Sequence, residues 1–216
     1  IECEVDAMGL RVMPDQILRI GAGGGLRAFG PSVDMYRAIL ATQAANLIGY
    51  WPLDDASGIT AQDASPNNRD GTYAGTLALA QTGIGDGRTA VQFTAGAVNL
   101  YAALNAVSFA GGEFTFMVWA KANSTAHIAD GVNEYFWDTF ATSGQCYFNK
   151  YPSVANLLRM YYIAGGVTKF TDIYRYDARW NQYVFVVSKA GEIAASYVNG
   201  SLIATVATLG VWSGAL

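Results

Sequence analysis

The sequence predicts an all-β protein, an antiparallel two-sheet sandwich preceded by an N-terminal arm and one short helix. Three observations carry that expectation. Period-two alternation of apolar residues recurs along most of the chain after residue 46, and turn-forming residues separate the alternating runs. The one convincing helical pattern lies ahead of them.

Taken in order, residues 1–33 read as an arm or linker, the tail of a preceding module or a strand lent to a sheet. They include the glycine-rich stretch "ILRIGAGGGLRAFG". A short helix is expected over 34–46: Asp34 can cap it, and the pairs Met35 with Ile39 and Tyr36 with Leu40 stand four apart on one side. "NLIGYWPLDDASG", from Asn46 to Gly58, should then open the sandwich, with Trp51 and Leu53 turned to the core and Tyr50 and Pro52 to the other face. "TAVQFTA" is the next strand candidate. "GEFTFMVWAK" alternates Phe114, Phe116 and Val118 against Thr115, Met117 and Trp119, so both of its faces should be at least half buried. "CYFNKY", "LLRMYYI", "TKFTDIY" and "NQYVFVVS" follow, and "EIAASYV" and "SLIATVA" flank Asn199-Gly200, a pair suited to a tight primed turn. No helices intervene, which excludes a parallel α/β fold.

Composition narrows the function classes. The 216 residues are 52% hydrophobic but only 14% charged, against about 25% charged in an average soluble domain. Such a surface, rich in Tyr, Trp and Gly, suits contact with other subunits or with sugar. A net charge of −4 with 13 scattered basic residues argues against a nucleic-acid partner. No window reaches the 18 or so apolar residues of a membrane span, and "IECEVDAMGL" has no basic stretch followed by an apolar run. The chain starts at Ile1 and stops at "VWSGAL", and the natural product is expected to extend past both ends. Cys3 and Cys146 are too few for a disulfide framework and are expected to be free thiols.

Several motifs invite chemistry. Gly21 and Gly23 begin a dinucleotide-type loop, but Leu26 occupies its last glycine position and Pro31 follows in place of a helix start, so a flexible link is the expectation. Glu2, Glu4 and Asp6 would share one face of a strand, as paired glycosidase acids do, yet they lie in the arm. His127 is the sole histidine, set in a polar loop with no partner nearby, and reads as a solvated residue. Asp54 and Asp55 should accept backbone N–H groups in a turn with Ser57 and Gly58. Together with Asp63, Asn67 and Asp70 they could also give calcium its oxygen ligands. Aromatics beside Asp, Asn and Arg offer the remaining route. Tyr135, Trp137, Tyr174, Tyr176 and Arg179 are the candidates for stacking on sugar rings and hydrogen-bonding their hydroxyls.

Five segments in one order carry a family resemblance: the "YWPLDD" opening, the "DASPNNRDGTY" turn, the "TAVQF" strand, the "FTFMVWAK" strand and the hairpin ending "YVNG". Over about 180 residues from Tyr36 onward, the chain resembles the laminin G-like, concanavalin A-like jelly roll. The resemblance implies two stacked antiparallel sheets over 34–216 and a role in binding or display. The arrangement of helix then "YWPLDDASG" is similar to modules of phage tail, fibre or capsid-associated proteins and of bacterial surface proteins. The expectation is a non-catalytic structural or adhesion module of a multi-subunit virion or extracellular assembly that contacts host glycan, with no catalytic residue, cofactor or resident metal. A dedicated carbohydrate-binding module of a secreted protein, using calcium, is the alternative. A glycoside hydrolase is the third reading, because one fold hosts many activities.

Overall fold

The computed structural model describes residues 17–20, 26–29, 46–75, 77–93, 99–102, 113–128, 130–141, 144–188 and 192–211. The helix expected at 34–46 lies outside these, as do Cys3 and the acidic run Glu2, Glu4 and Asp6. What is described is all-β, with a single helical turn at Thr125–Ile128. His127, expected in a loop, belongs to that turn. Among the described residues no helix is long and apolar enough to cross a membrane. The chain divides into two compact units, Ile1–Ala103 and Leu104–Leu216.

In the first unit, β1 (Ile17–Ile20) and β2 (Leu26–Phe29) pair antiparallel, Ile17 opposite Phe29 and Ile20 opposite Leu26. The glycine stretch therefore separates two strands of a hairpin. β1 and β2 pair with each other in a sheet of their own. A three-stranded sheet joins β3 (Thr60–Ala61), β4 (Gly71–Ala74) and β7 (Asn99–Ala102), and β5 (Leu77–Thr82) pairs with β6 (Thr89–Phe93).

The expected opening strand at "YWPL" is not formed. Residues 46–59 hold no strand, Trp51 and Leu53 are only half-buried, and Leu53 adopts φ 58°, a left-handed conformation that breaks the extended alternation. Hydrogen bonds donated to Asp63 and to Arg69 hold this segment instead. Tyr50 N–H donates to Asp63 Oδ1 (2.8 Å), and Trp51 Nε1 donates to the Arg69 carbonyl (2.8 Å).

The second unit is a β-sandwich. One sheet is a meander in the order β12 (Val167–Ile173), β11 (Leu158–Ala164), β10 (Gly144–Lys150), β9 (Glu134–Ala141). The other runs β15 (Ser201–Ala207), β14 (Ile193–Val198), β13 (Asn181–Ser188), β8 (Phe114–Ala120). Alternation selects the inward set: Leu158, Met160 and Tyr162 on β11 and Tyr183, Phe185 and Val187 on β13 are buried, while the residues between them are only partly covered. Phe148 of β10 meets Tyr183 of β13 at 5.4 Å, so both sheets share one core. On β8, Phe114 and Val118 pack on that core and Thr115 is exposed. Cys146 is a buried free thiol whose Sγ donates to the Tyr161 carbonyl (3.0 Å), and burial pushes its pKa well up.

The hairpin between β14 and β15 turns at Asn199 (φ 50°) and Gly200 (φ 78°), the geometry the pair predicts. A Cβ on Gly200 would meet nothing within 4 Å, so Gly200→Ala should act through backbone strain alone. The expected loss is about 1 kcal/mol, read as a lower denaturant midpoint at unchanged slope.

Candidate functional site

Strand β12 ends at Ile173, and residues 174–180 then cross one end of the sandwich before β13 begins at Asn181. Three bonds fix this crossing: Ala122 N–H to the Asp177 carbonyl (2.8 Å), Tyr176 N–H to the Asn156 carbonyl (3.3 Å), and Tyr183 Oη to the Arg175 carbonyl (2.8 Å). The β14–β15 turn joins it, because Asn199 Oδ1 accepts Gln182 N–H (2.8 Å) while Asn199 Nδ2 donates to Asn181 Oδ1 (2.8 Å).

The result is an open cleft of about 440 Å³ walled by Tyr174, Arg175, Asp177, Arg179 and Trp180, with the amides of Asn156, Asn181 and Asn199 alongside. Tyr174 is 63% exposed and Trp180 half-buried, with Lys121 Nζ 5.1 Å from the Trp180 ring centroid. Asp177 accepts from Arg179 N–H (2.8 Å), from the Arg179 guanidinium (2.6 Å) and from Asn181 Nδ2 (3.2 Å). Chiefly through the Arg179 guanidinium, its carboxyl is held below the usual range. Rings, amides and guanidinium groups in one concave site can stack on a saccharide and hydrogen-bond its hydroxyls.

The five sugar-site candidates fall in three places. Tyr174 and Arg179 stand on this cleft. Tyr176 also borders it but is only 3% exposed, its ring edge-on to Phe136 at 5.5 Å. Burial first, and then the nearby Glu134 carboxylate, raise its hydroxyl pKa. The two tyrosines stand two apart yet differ because the chain leaves strand geometry after Ile173, so period two no longer applies.

Tyr135 and Trp137 separate for a different reason. Along β9, Tyr135 pairs with Asn149 and Trp137 with Phe148, which makes Phe136 the extra residue of a β-bulge. The bulge reverses the phase of alternation: Tyr135 is exposed, whereas Phe136 and Trp137 both pack on the core. Trp137 lies 4.1 Å from Phe116, ring to ring, and its buried Nε1 has no hydrogen-bond partner among the described residues. Tyr176 thus belongs to the buried core and Trp137, half-buried, packs against it.

Two side-chain rows cross the outer face of the β9–β12 sheet. Asp138, Tyr147, Tyr161 and Phe170 are register partners in one, and Tyr135, Asn149, Arg159 and Asp172 in the other. Tyr147 and Tyr161 stack at 4.3 Å, Arg159 grips Asp172 through two bonds (2.6 and 3.0 Å), and the Arg159 guanidinium lies 4.1 Å from the Phe170 centroid. Of these rings Tyr147 and Tyr161 stack face to face, while Tyr161 and Phe170 meet tilted at 5.6 Å. Sequence reading missed this row, although alternation in "CYFNKY", "LRMYYIA" and "TKFTDI" places its members.

Acidic candidates elsewhere have partners. Asp54 Oδ2 pairs with Arg88, Asp55 Oδ2 accepts the Tyr73 hydroxyl (2.8 Å), and Asp70 Oδ1 accepts Asp63 N–H (2.9 Å). Asp63 rather than Asp54 or Asp55 is the residue that gathers backbone N–H groups. Asn67 Nδ2 donates to the Leu47 carbonyl (2.6 Å). Among the described residues, no group of three or more His, Cys, Asp or Glu is placed to share an ion. Lys150, its side chain 2% exposed, sets Nζ 2.5 Å from Asp130 Oδ1 and 3.5 Å from Glu134 Oε2.

Comparison with models of known protein families finds no match to this chain, and comparison with curated proteins finds none.

Proposed function

We propose that the chain is a non-catalytic display and adhesion module of a multi-subunit surface assembly, virion or extracellular, that contacts glycan through the cleft at 174–180. In this reading the sandwich is a laminin G-like, concanavalin A-like jelly roll, and its end loops carry recognition while its sheets provide a rigid mount. The cleft is the observation that carries the proposal: an exposed Tyr174 and a half-buried Trp180 share one concavity with Arg175 and Arg179. Rigid rings give contact area at low entropic cost, and a guanidinium can donate to sugar hydroxyls. A low share of charged residues suits a surface that packs against other subunits.

The non-catalytic part of the reading is supported by the cleft's acids. Among its described lining residues the one carboxylate is Asp177, held ionised by Arg179, whereas glycoside hydrolysis calls for a pair of acids flanking the bond.

A glycan array tests the reading. The wild-type chain should retain a defined set of oligosaccharides, and Tyr174→Ala should weaken that binding about tenfold through loss of one ring's stacking. Tyr147→Ala, outside the cleft, should leave it unchanged. Binding insensitive to Tyr174, or no retained glycan at all, would overturn it.

A further inference from the structure

We infer that the cleft selects saccharides that carry a carboxylate, a uronic or sialic acid, over neutral ones, with Arg175 as the residue that pairs with the acid. This rests on the proposal that the cleft binds glycan, and adds the charge of the ligand.

The cleft's charge differs in sign from the chain's. Overall the protein carries −4. Among the residues lining the cleft, Arg175 and Arg179 stand against Asp177, an excess of one positive charge, and Lys121 lies beside it over Trp180. The two arginines are not equivalent. Arg179 donates Nε and Nη2 to Asp177 Oδ2, at 3.0 and 2.6 Å, and so pairs with the one acid among the described lining residues. Arg175 uses its carbonyl to accept the Tyr183 hydroxyl, which anchors its backbone, while its side chain is exposed at the cleft and the described residues offer its guanidinium no carboxylate.

A guanidinium fork held on a fixed backbone beside an exposed ring is the arrangement that a ring-borne carboxylate fits: two parallel N–H···O bonds to the acid, with the sugar face on Tyr174. Neutral sugars would use the ring and the amides but not the fork. Lys121 is already placed over Trp180, and its charge adds to the attraction without a directional bond.

Calorimetric titration of the intact chain with oligogalacturonate and with its methyl ester, and with sialyllactose and with its methyl ester, provides the test. The paired probes differ in the acid, which isolates it, and the two pairs distinguish a uronic from a sialic source. At least one acid should bind about tenfold tighter than its neutral partner at low salt, with the preference shrinking at higher ionic strength. Arg175→Gln should remove the preference while neutral binding stays, and Arg175→Lys should recover only part of it. Thermal melts that coincide with wild type would show that both variants fold, as expected for an exposed side chain. Equal binding of acid and neutral partner would overturn the charge selection and leave the glycan reading standing. Tighter binding of the neutral partners, or an acid preference that survives Arg175→Gln, would also overturn it. Failure of every probe, in agreement with an empty glycan array, would remove both.

Discussion

Asp63→Ala is expected to destabilise the first unit by about 3–5 kcal/mol, because it strips one carboxylate from four donors at once. Oδ1 accepts Tyr50 N–H (2.8 Å) and Ser65 N–H (2.9 Å), while Oδ2 accepts Ser65 Oγ (2.8 Å) and Arg69 N–H (2.8 Å). At 7% exposure, water cannot readily replace it. Hydrogen exchange followed by mass spectrometry should show faster exchange over 46–74 and little change in the sandwich of the second unit. Asp63→Asn keeps one acceptor oxygen but turns an NH2 toward donors, and should recover only part of the loss. Protection at Tyr50 and Arg69 equal to wild type in Asp63→Ala would show that the carboxylate does not organise this segment.

The same carboxylate sets a pH dependence. Burial alone would raise its pKa, but the hydrogen bonds from Tyr50, Arg69 and Ser65 outweigh burial and hold it below the usual range. A depressed folded-state pKa stabilises the fold above the unfolded value of about 3.9 and ceases to do so as pH falls through the folded value. Wild type should therefore converge on Asp63→Ala in acid. A gap between them that stays constant from pH 7 to about pH 2 would contradict this.

Lys150→Ala should cost the sandwich about 3 kcal/mol, read from the denaturant midpoint. Two effects add: a buried stem leaves a cavity at the end of β10, and Asp130 and Glu134 lose the cation between them. The figure sits low in the range for a broken buried pair because both acids keep side-chain exposures of 29%. Lys150→Met retains the stem without the charge and should fall between alanine and wild type. Equal losses for the two variants would assign the whole effect to the charge, and a loss under about 1 kcal/mol for alanine would mean that the cluster holds nothing.

Much of the second unit was legible because its signals are local. Alternation in "NQYVFVVS" and "LLRMYYI" needs only the pleat to decide which residues face inward, and Asn199-Gly200 needs only tolerance of positive φ. The candidate site was legible in part. "IYRYDARW" marked Tyr174 and Arg179 by composition, but Arg175 and Trp180 in the same run carry no signal that separates them from ordinary surface residues. Trp137 could not be placed, since a bulge is set by how β9 and β10 register against each other, and one extra residue turns alternation over.

By itself, then, the chain's sequence determined that this protein is all-β, where most strands of the sandwich lie and how their last hairpin turns, for these follow from backbone geometry repeated every second residue. Tertiary structure decided which aromatic rings are buried, that Asp63 rather than Asp54 or Asp55 collects backbone donors, and that a cleft forms at 174–180. Each of these depends on groups far apart in the chain, as Asn156 and Asn199 are from Tyr174, and only folding brings them within hydrogen-bond or van der Waals reach.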